Sequence, residues 1–169
     1  MTRPSRTLRV LPDGRAEFLG VSFPCALGSG GVRRVKREGD GGTPVGRFPV
    51  RRLYWRPDRL DRPRTGLPVM PLRPSAGWCD DPASPAYNRP VVLPFAASHE
   101  RMWRTDGLYD LVLVIGHNDR PAVPGHGSAV FVHVAAPGFT PTAGCVAFTP
   151  PDLLAIVGEL APGDRVRIG

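Results

Sequence analysis

The sequence is short of long apolar runs, of lysine, of uninterrupted helix-forming stretches and of metal-binding spacings. No apolar stretch approaches the ~18 residues that a membrane-crossing helix needs, so none is read in it. Twenty glycines and 21 prolines in 169 residues interrupt the chain too often for a helical bundle. Of the 22 basic residues only Lys36 is a lysine. Gly41–Gly46 therefore has the glycine spacing of a phosphate loop but lacks the Lys-Ser/Thr ending, and that reading is rejected. Glu38-Gly39-Asp40-Gly41-Gly42-Thr43-Pro44 fails the calcium-loop pattern and reads as a tight turn before a strand. The cysteines, Cys25, Cys79 and Cys145, form no CxxC, and the histidines form no HExxH and no pair at helical spacing. Met1 to Val10 carries Arg3, Arg6 and Arg9 with no apolar stretch behind them, so no secretory leader is read. A hydrophobic content of 41% excludes a disordered tail.

What is present is β-pattern. Thr7–Leu11 and Arg15–Val21 flank Pro12-Asp13-Gly14, a hairpin turn. Further strands are expected at Phe48–Tyr54, Val91–Leu93, Leu111–Gly116, Ser128–Ala135 and Arg165–Ile168. The runs Leu111–Ile115 and Ala129–Val132 are continuously apolar and suit central strands buried on both faces. One helix is clear. Thr149 caps it, Pro150, Pro151 and Asp152 fill its first turn, and Leu153, Leu154, Ile156, Val157 and Leu160 make an apolar stripe. A shorter helix is expected around Ser98–Arg104. Residues Pro57 to Pro90 hold eight prolines without periodicity and read as a long ordered loop insert. The expectation is a mainly β, single domain spanning residues 1–169, with a C-terminal helix.

Charge is concentrated. Arg33 to Arg73 holds twelve basic and four acidic residues, a net +8 within a chain of +7. Such a run is either a solvated loop-rich face or a wall for an anionic partner. Sparse aromatics there (Phe48, Tyr54, Trp55) argue against a single-strand stacking platform.

Two residues carry candidate chemistry. His133 falls in an apolar, buried strand, and Cys145 follows Gly144 after a turn built on Pro137, Gly138 and Pro141. A thiol needs a base to become a nucleophile, and an imidazole within hydrogen-bond reach supplies one. A glycine before the nucleophile lets substrate approach and leaves backbone N–H groups to hold an oxyanion. Spacing alone favours the plainer alternative, a core histidine and a structural cysteine. A zinc hydrolase using His117, His126 and His133, and a non-catalytic cell-wall or nucleic-acid binding module using the basic segment, stay open at this point.

The order of segments adds what spacing does not. Lys36-Arg37-Glu38-Gly39-Asp40-Gly41-Gly42-Thr43-Pro44-Val45-Gly46-Arg47-Phe48 contains a Thr-Pro-x-Gly-x-Phe element. Gly77-Trp78-Cys79-Asp80-Asp81, Tyr87-Asn88-Arg89 and Val114-Ile115-Gly116-His117-Asn118 follow. Gly127–His133 and Thr142-Ala143-Gly144-Cys145-Val146-Ala147 complete the series. Together these resemble the L,D-transpeptidase catalytic domain (YkuD) family of bacterial cell-wall enzymes. The resemblance implies a β-rich, β-sandwich-like fold with the cysteine in a groove, and acyl transfer on peptidoglycan stem peptides without a cofactor or metal. It implies Cys145 as nucleophile, His133 as general base and acid, and Gly144 as a source of oxyanion N–H groups. Thr142 is expected to help orient the imidazole. Tyr87, Asn88, Arg89, Trp103, Arg104, His117 and Asn118 are expected at the substrate groove. The partners implied are donor and acceptor stem peptides, with carbapenems acylating Cys145, no nucleic acid, and a monomeric protein. The family works in the cell envelope, whereas no export signal is read here; a Cys25–Cys79 disulfide would favour an oxidising compartment. Two departures stand out: Ala143 replaces the histidine of Ser/Thr-His-Gly-Cys, and Ala147 replaces an arginine often found two residues after the nucleophile. Arg89, Arg104 and His117 are candidates to compensate.

Overall fold

The computed structural model describes residues 3–169. In chain order the strands are β1 (Thr7–Leu11), β2 (Arg15–Phe18), β3 (Val21–Pro24), β4 (Val32–Arg33), β5 (Thr43–Pro44), β6 (Gly46–Trp55) and β7 (Val69–Pro71). There follow β8 (Ala76–Cys79), β9 (Pro90–Val92), β10 (His99–Arg101), β11 (Leu111–Ile115), β12 (Phe131–Val134) and β13 (Val146–Phe148). Helix α1 (Pro150–Glu159) and strand β14 (Arg165–Ile168) end the chain. The main sheet runs β13-β12-β11-β6-β14-β1-β2-β3, with β7 also paired to β6; β10-β8-β9 form a small sheet and β4-β5 a third.

The apolar runs explain the layering. Along β11, Leu111, Leu113 and Ile115 enter one core while Val112 and Val114 enter another, as strand alternation requires. The first core takes Val132, Val146 and Phe148 from the neighbouring strands, Leu8 and Val10 from β1, and Leu153, Ile156 and Val157 from α1. The second lies on the opposite face and packs Phe131, Tyr54 and Cys145 beneath Trp78 of β8 and Met102. The main sheet also rolls. Ala26, just past β3, exchanges hydrogen bonds with Ala147 of β13 at 2.8 and 3.0 Å, and Phe23 meets Phe148 edge to face. Its two edge strands are thereby linked, which blunts the edge-pairing hazard of an open sheet.

The β-rich expectation and the C-terminal helix are met, with local corrections. The segment Arg15–Val21 is not one strand, because a turn at Leu19-Gly20, both with positive φ, folds β3 back on β2. Pro57–Pro90 is not loop throughout: it holds β7 and β8, whose short runs lack the length to show a period. Ser98–Arg104 is not helical. His99–Arg101 pair with Cys79–Gly77, and a lone short helix has too little internal stability to compete with such pairing. In Ser128–Ala135 only Phe131–Val134 is strand. Thr149 does cap α1, its hydroxyl accepting from the Asp152 N–H, but Leu154 points to solvent rather than joining the stripe. All three cysteines are free thiols; Cys25 belongs to the first core and Cys79 lies buried in β8. Among the described residues no helix is long and apolar enough to cross a membrane.

Helix α1 supplies a direct check on this packing. Leu153→Ala is expected to cost about 2–5 kcal/mol and Thr149→Ala about 1 kcal/mol, with Leu154→Ala within about 0.5 kcal/mol of wild type. Urea unfolding followed by circular dichroism measures all three.

Candidate active site

Strands β12 and β13 run parallel and in register, with His133 opposite Ala147. Cys145 sits one residue before β13, so the pleat puts it on the second-core face together with Phe131 and His133. Both Cys145 and His133 are largely buried and line one cavity of about 440 Å³. His133 is oriented by its own strand: Nδ1 lies 2.8 Å from the Val134 carbonyl. A carbonyl only accepts, so Nδ1 carries the proton and Nε2 keeps a lone pair. The ring of Tyr109 packs edge-on against the imidazole at 5.2 Å. Burial holds His133 below the ordinary imidazole pKa of 6.5.

The thiol donates to the Ala129 carbonyl at 3.2 Å, and the sulfur accepts from the Phe131 N–H at 3.3 Å. Burial pushes the thiol up to about 12; the Glu100 carboxylate adds to this, while the Phe131 N–H, Lys36 and Arg104 pull the other way. The resting pair is thus neutral thiol and neutral imidazole, with the thiol proton on Ala129 and not on His133.

Thr142 holds the loop before Cys145. Its hydroxyl donates to the Cys145 carbonyl at 2.7 Å and accepts from the Gly144 N–H at 3.1 Å. It orients the loop that carries Cys145; Val134, not Thr142, orients the imidazole. Gly144 is required on two grounds. Its φ is +141°, and a Cβ there would stand 2.8 Å from the Gly42 carbonyl oxygen. Its N–H is already committed to Thr142.

Lys36, Glu38 and Gly39 form another wall, and the Thr-Pro-x-Gly-x-Phe element that follows them braces it from behind. Thr43 is fully buried and its hydroxyl accepts from the Gly28 N–H at 2.8 Å. Thr142 then donates its N–H to Leu27 and accepts from Ser29, both at 2.9 Å. This brings Lys36 into the cavity, where its ammonium is held at 2.6 Å by Asp40 and its stem lies near Gly127 and Gly144.

The residues expected at the groove divide. Arg104 lines the cavity, paired to Asp106 and lying over the Tyr109 ring. Tyr87 and Asn88 are buried behind it. The Tyr87 hydroxyl bonds the Glu38 carboxylate and accepts from the Gly127 N–H. Asn88 takes the Trp78 indole N–H and the Ala129 N–H on its oxygen, and gives its two protons to the carbonyls of His117 and Asn118. It is a four-bond tie. Asn118 shapes its own turn through Val123 and Gly127. Trp103 stacks under the Arg56 guanidinium at 3.6 Å and does not line the cavity. Arg89 and His117 open instead onto a second cavity.

The three histidines considered for zinc do not converge. His133 faces the first cavity, His117 the second, and His126 is on an exposed turn; among the described residues no group of three metal-ligating side chains forms. The basic wall is also thinner than its composition suggests, because Lys36, Arg51, Arg56 and Arg59 are paired with Asp40, Asp119, Asp58 and Asp110.

Residue-by-residue reading of the sequence missed Lys36, Glu38, Asp80, Glu100, Tyr109 and Ser128, all of which line the first cavity. Lys36 alone carried a signal, as the one lysine among 21 arginines. The acids of the cavity come from three separate segments, and only the fold brings them together.

No curated protein matches the sequence. The family model for the L,D-transpeptidase catalytic domain, YkuD, matches residues 2–168. With that match spanning nearly the whole chain, and with Cys145 and His133 facing one cavity of a β-rich fold, the protein belongs to the YkuD family of L,D-transpeptidase catalytic domains.

Proposed function

We propose that the protein is a cysteine-dependent acyltransferase acting on peptidoglycan stem peptides, with Cys145 as nucleophile and His133 as general base. The observation that carries this reading is the shared cavity, which an imidazole pinned through Nδ1 lines together with a thiol that donates to the Ala129 carbonyl. As the donor carbonyl approaches, the S–H turns from Ala129 toward His133, which takes the proton while sulfur bonds the carbonyl carbon. The oxyanion is held by the Cys145 N–H, since the Gly144 N–H serves Thr142. When the tetrahedral intermediate collapses, the C–N bond to the terminal D-residue breaks and His133 returns its proton to that leaving amine. The thioester on Cys145 is then resolved by an amine from a second stem, forming a cross-link, or by water, trimming the donor. The carboxylates of Glu38, Asp80 and Glu100 around the cavity suit the approach of a cationic amine acceptor.

A carbapenem tests the nucleophile. Incubation is expected to add one covalent mass equivalent to the wild-type protein and none to Cys145→Ala; a folded wild type that stays unmodified refutes the acyl-enzyme route. Mass spectrometry of products from defined stem peptides then separates cross-linking from trimming.

The pH profile tests the resting protonation state. Only neutral His133 can accept the thiol proton, and its pKa lies below 6.5, so kcat/KM is expected to rise through a limb below pH 6.5. With the thiol near 12 it then stays level through about pH 9. A resting thiolate–imidazolium pair would instead lose activity in that range as the imidazolium gives up its proton.

A further inference from the structure

The second cavity, of about 410 Å³, is a different place from the first. Cys145 and His133 line only the first. The second is lined on its inner side by buried Trp78, Val114 and Phe131, with Asn88 beside them. Arg52 stands opposite Val114 across β6 and β11, and Val114 stands opposite Phe131 across β11 and β12, so the three form one row on a sheet face. Arg52 is thus three strands, roughly 14 Å of sheet, from β13, the strand that Cys145 leads into.

Positive charge collects in this cavity from segments far apart in the chain. Arg51 and Arg52 come from β6, Arg89 from the turn before β9 and Arg120 from the loop after β11, against one carboxylate, Asp119. Asp119 is spent on Arg51, which it takes through two bonds at 2.9 and 3.2 Å. Gly116 keeps the space for that guanidinium, since a Cβ there would stand 2.8 Å from it. Among the described residues Arg52, Arg89 and Arg120 have no carboxylate partner and make no side-chain hydrogen bond. His117 also lines the cavity, and its Nδ1 is buried without a hydrogen-bond partner. Such an atom is costly unless something satisfies it.

We propose that the second cavity binds a phosphoryl oxyanion, with Arg52, Arg89 and Arg120 as its cationic contacts and the His117 imidazole as a further polar one. Four arginines against one aspartate leave the lining at net +3. A carboxylate brings one charge and two oxygens to that lining, whereas a phosphoryl group brings up to two charges and three oxygens. Guanidinium forks suit those oxygens, and the apolar inner side strengthens the attraction by keeping water from one flank of it. Burial and the nearby Lys36 push the His117 pKa down to about 4, so its imidazole adds hydrogen-bonding capacity at neutral pH without adding charge. The cavity is larger than one phosphoryl group and leaves room for whatever the phosphate is esterified to. Such a site is independent of the acyl-transfer proposal, since none of its arginines lines the first cavity.

Calorimetric titration of the full-length protein tests the site, at fixed ionic strength and about pH 8, where phosphate carries two charges. Inorganic phosphate is expected to bind at least about tenfold more tightly than acetate. Arg52→Gln, Arg89→Gln and Arg120→Gln are each expected to weaken phosphate about tenfold. Arg89 and Arg120 are exposed, so their variants keep the test readable if the half-buried Arg52 proves necessary for folding. Arg167→Gln removes the same charge from an exposed position outside the cavity and is expected to leave the affinity unchanged. The ring signals of His117 in nuclear magnetic resonance spectra are expected to shift as phosphate is added. Glycerol 3-phosphate tells the sources apart: tighter binding than inorganic phosphate marks an esterified ligand, and weaker binding marks the free ion. Acetate matching phosphate, an absence of phosphate binding, or full affinity in the folded cavity variants overturns the site. So does an equal loss in Arg167→Gln, which would make the effect one of net charge alone.

Discussion

The site depends on one backbone contact, the approach of Gly28 to the loop carrying Cys145. A Cβ on Gly28 would sit 2.8 Å from the Gly144 Cα and 2.1 Å from the Gly41 carbonyl oxygen, so two hydrogens at facing glycines are what allow the segments to touch. On one side of the contact, Ala26 and Ala147 link the edges of the rolled sheet; on the other, Ser29 and Thr142 share a bond. The buried Thr43 hydroxyl fixes the register from beneath. Closing the sheet and walling the cavity are therefore one event, and Lys36 lines that cavity because of it. A side chain at either glycine would separate the walls before it altered any reacting group.

Electrostatics follow from the same closure. Burial raises the thiol and lowers the imidazole, so each group rests uncharged, and no ion pair has to be desolvated to keep them together. In the proposed reaction the cost comes when charge forms on sulfur beside the Phe131 N–H and within the field of Lys36 and Arg104. Carboxylates around that cavity would oppose the thiolate if all were ionised and free. Two of the three are engaged: Glu38 takes the Tyr87 hydroxyl, and Glu100 takes the Tyr109 hydroxyl and is shifted upward by burial. The two tyrosines thus temper an acidic wall.

How much of this was legible in the sequence depends on whether the signal was local. The run Leu111–Ile115 named its own strand because every residue is apolar, and Thr149-Pro150-Pro151-Asp152 named its helix start because capping is a local bond. The turn Pro12-Asp13-Gly14 was read correctly for the same reason. His99–Arg101 was misread because its strand character comes wholly from pairing with β8, twenty residues away, and the polar triplet has no pattern of its own. The pair Cys145 and His133 required the order of motifs, since the eleven intervening residues of strand and loop say nothing about which face each side chain takes. Asn88 shows the opposite failure. Its motif was legible but its role was not, because four hydrogen bonds to three distant segments look from the sequence like a polar residue awaiting substrate.

The two departures from the family pattern have different physical standing. Ala147 is wholly buried, paired in register with His133 and hydrogen-bonded through its backbone to Ala26. An arginine there would have to find room for a guanidinium at a fully buried position where the sheet edges meet, whereas alanine fits the space as it stands. Ala143 is exposed and stands on the cavity rim, where a histidine would fit without strain but would narrow the entrance. The imidazole that matters is held by Val134, so a histidine at 143 is not needed to orient it. One replacement thus sits at a tightly packed sheet junction and the other at the cavity rim, and both leave Cys145 and His133 lining the same cavity.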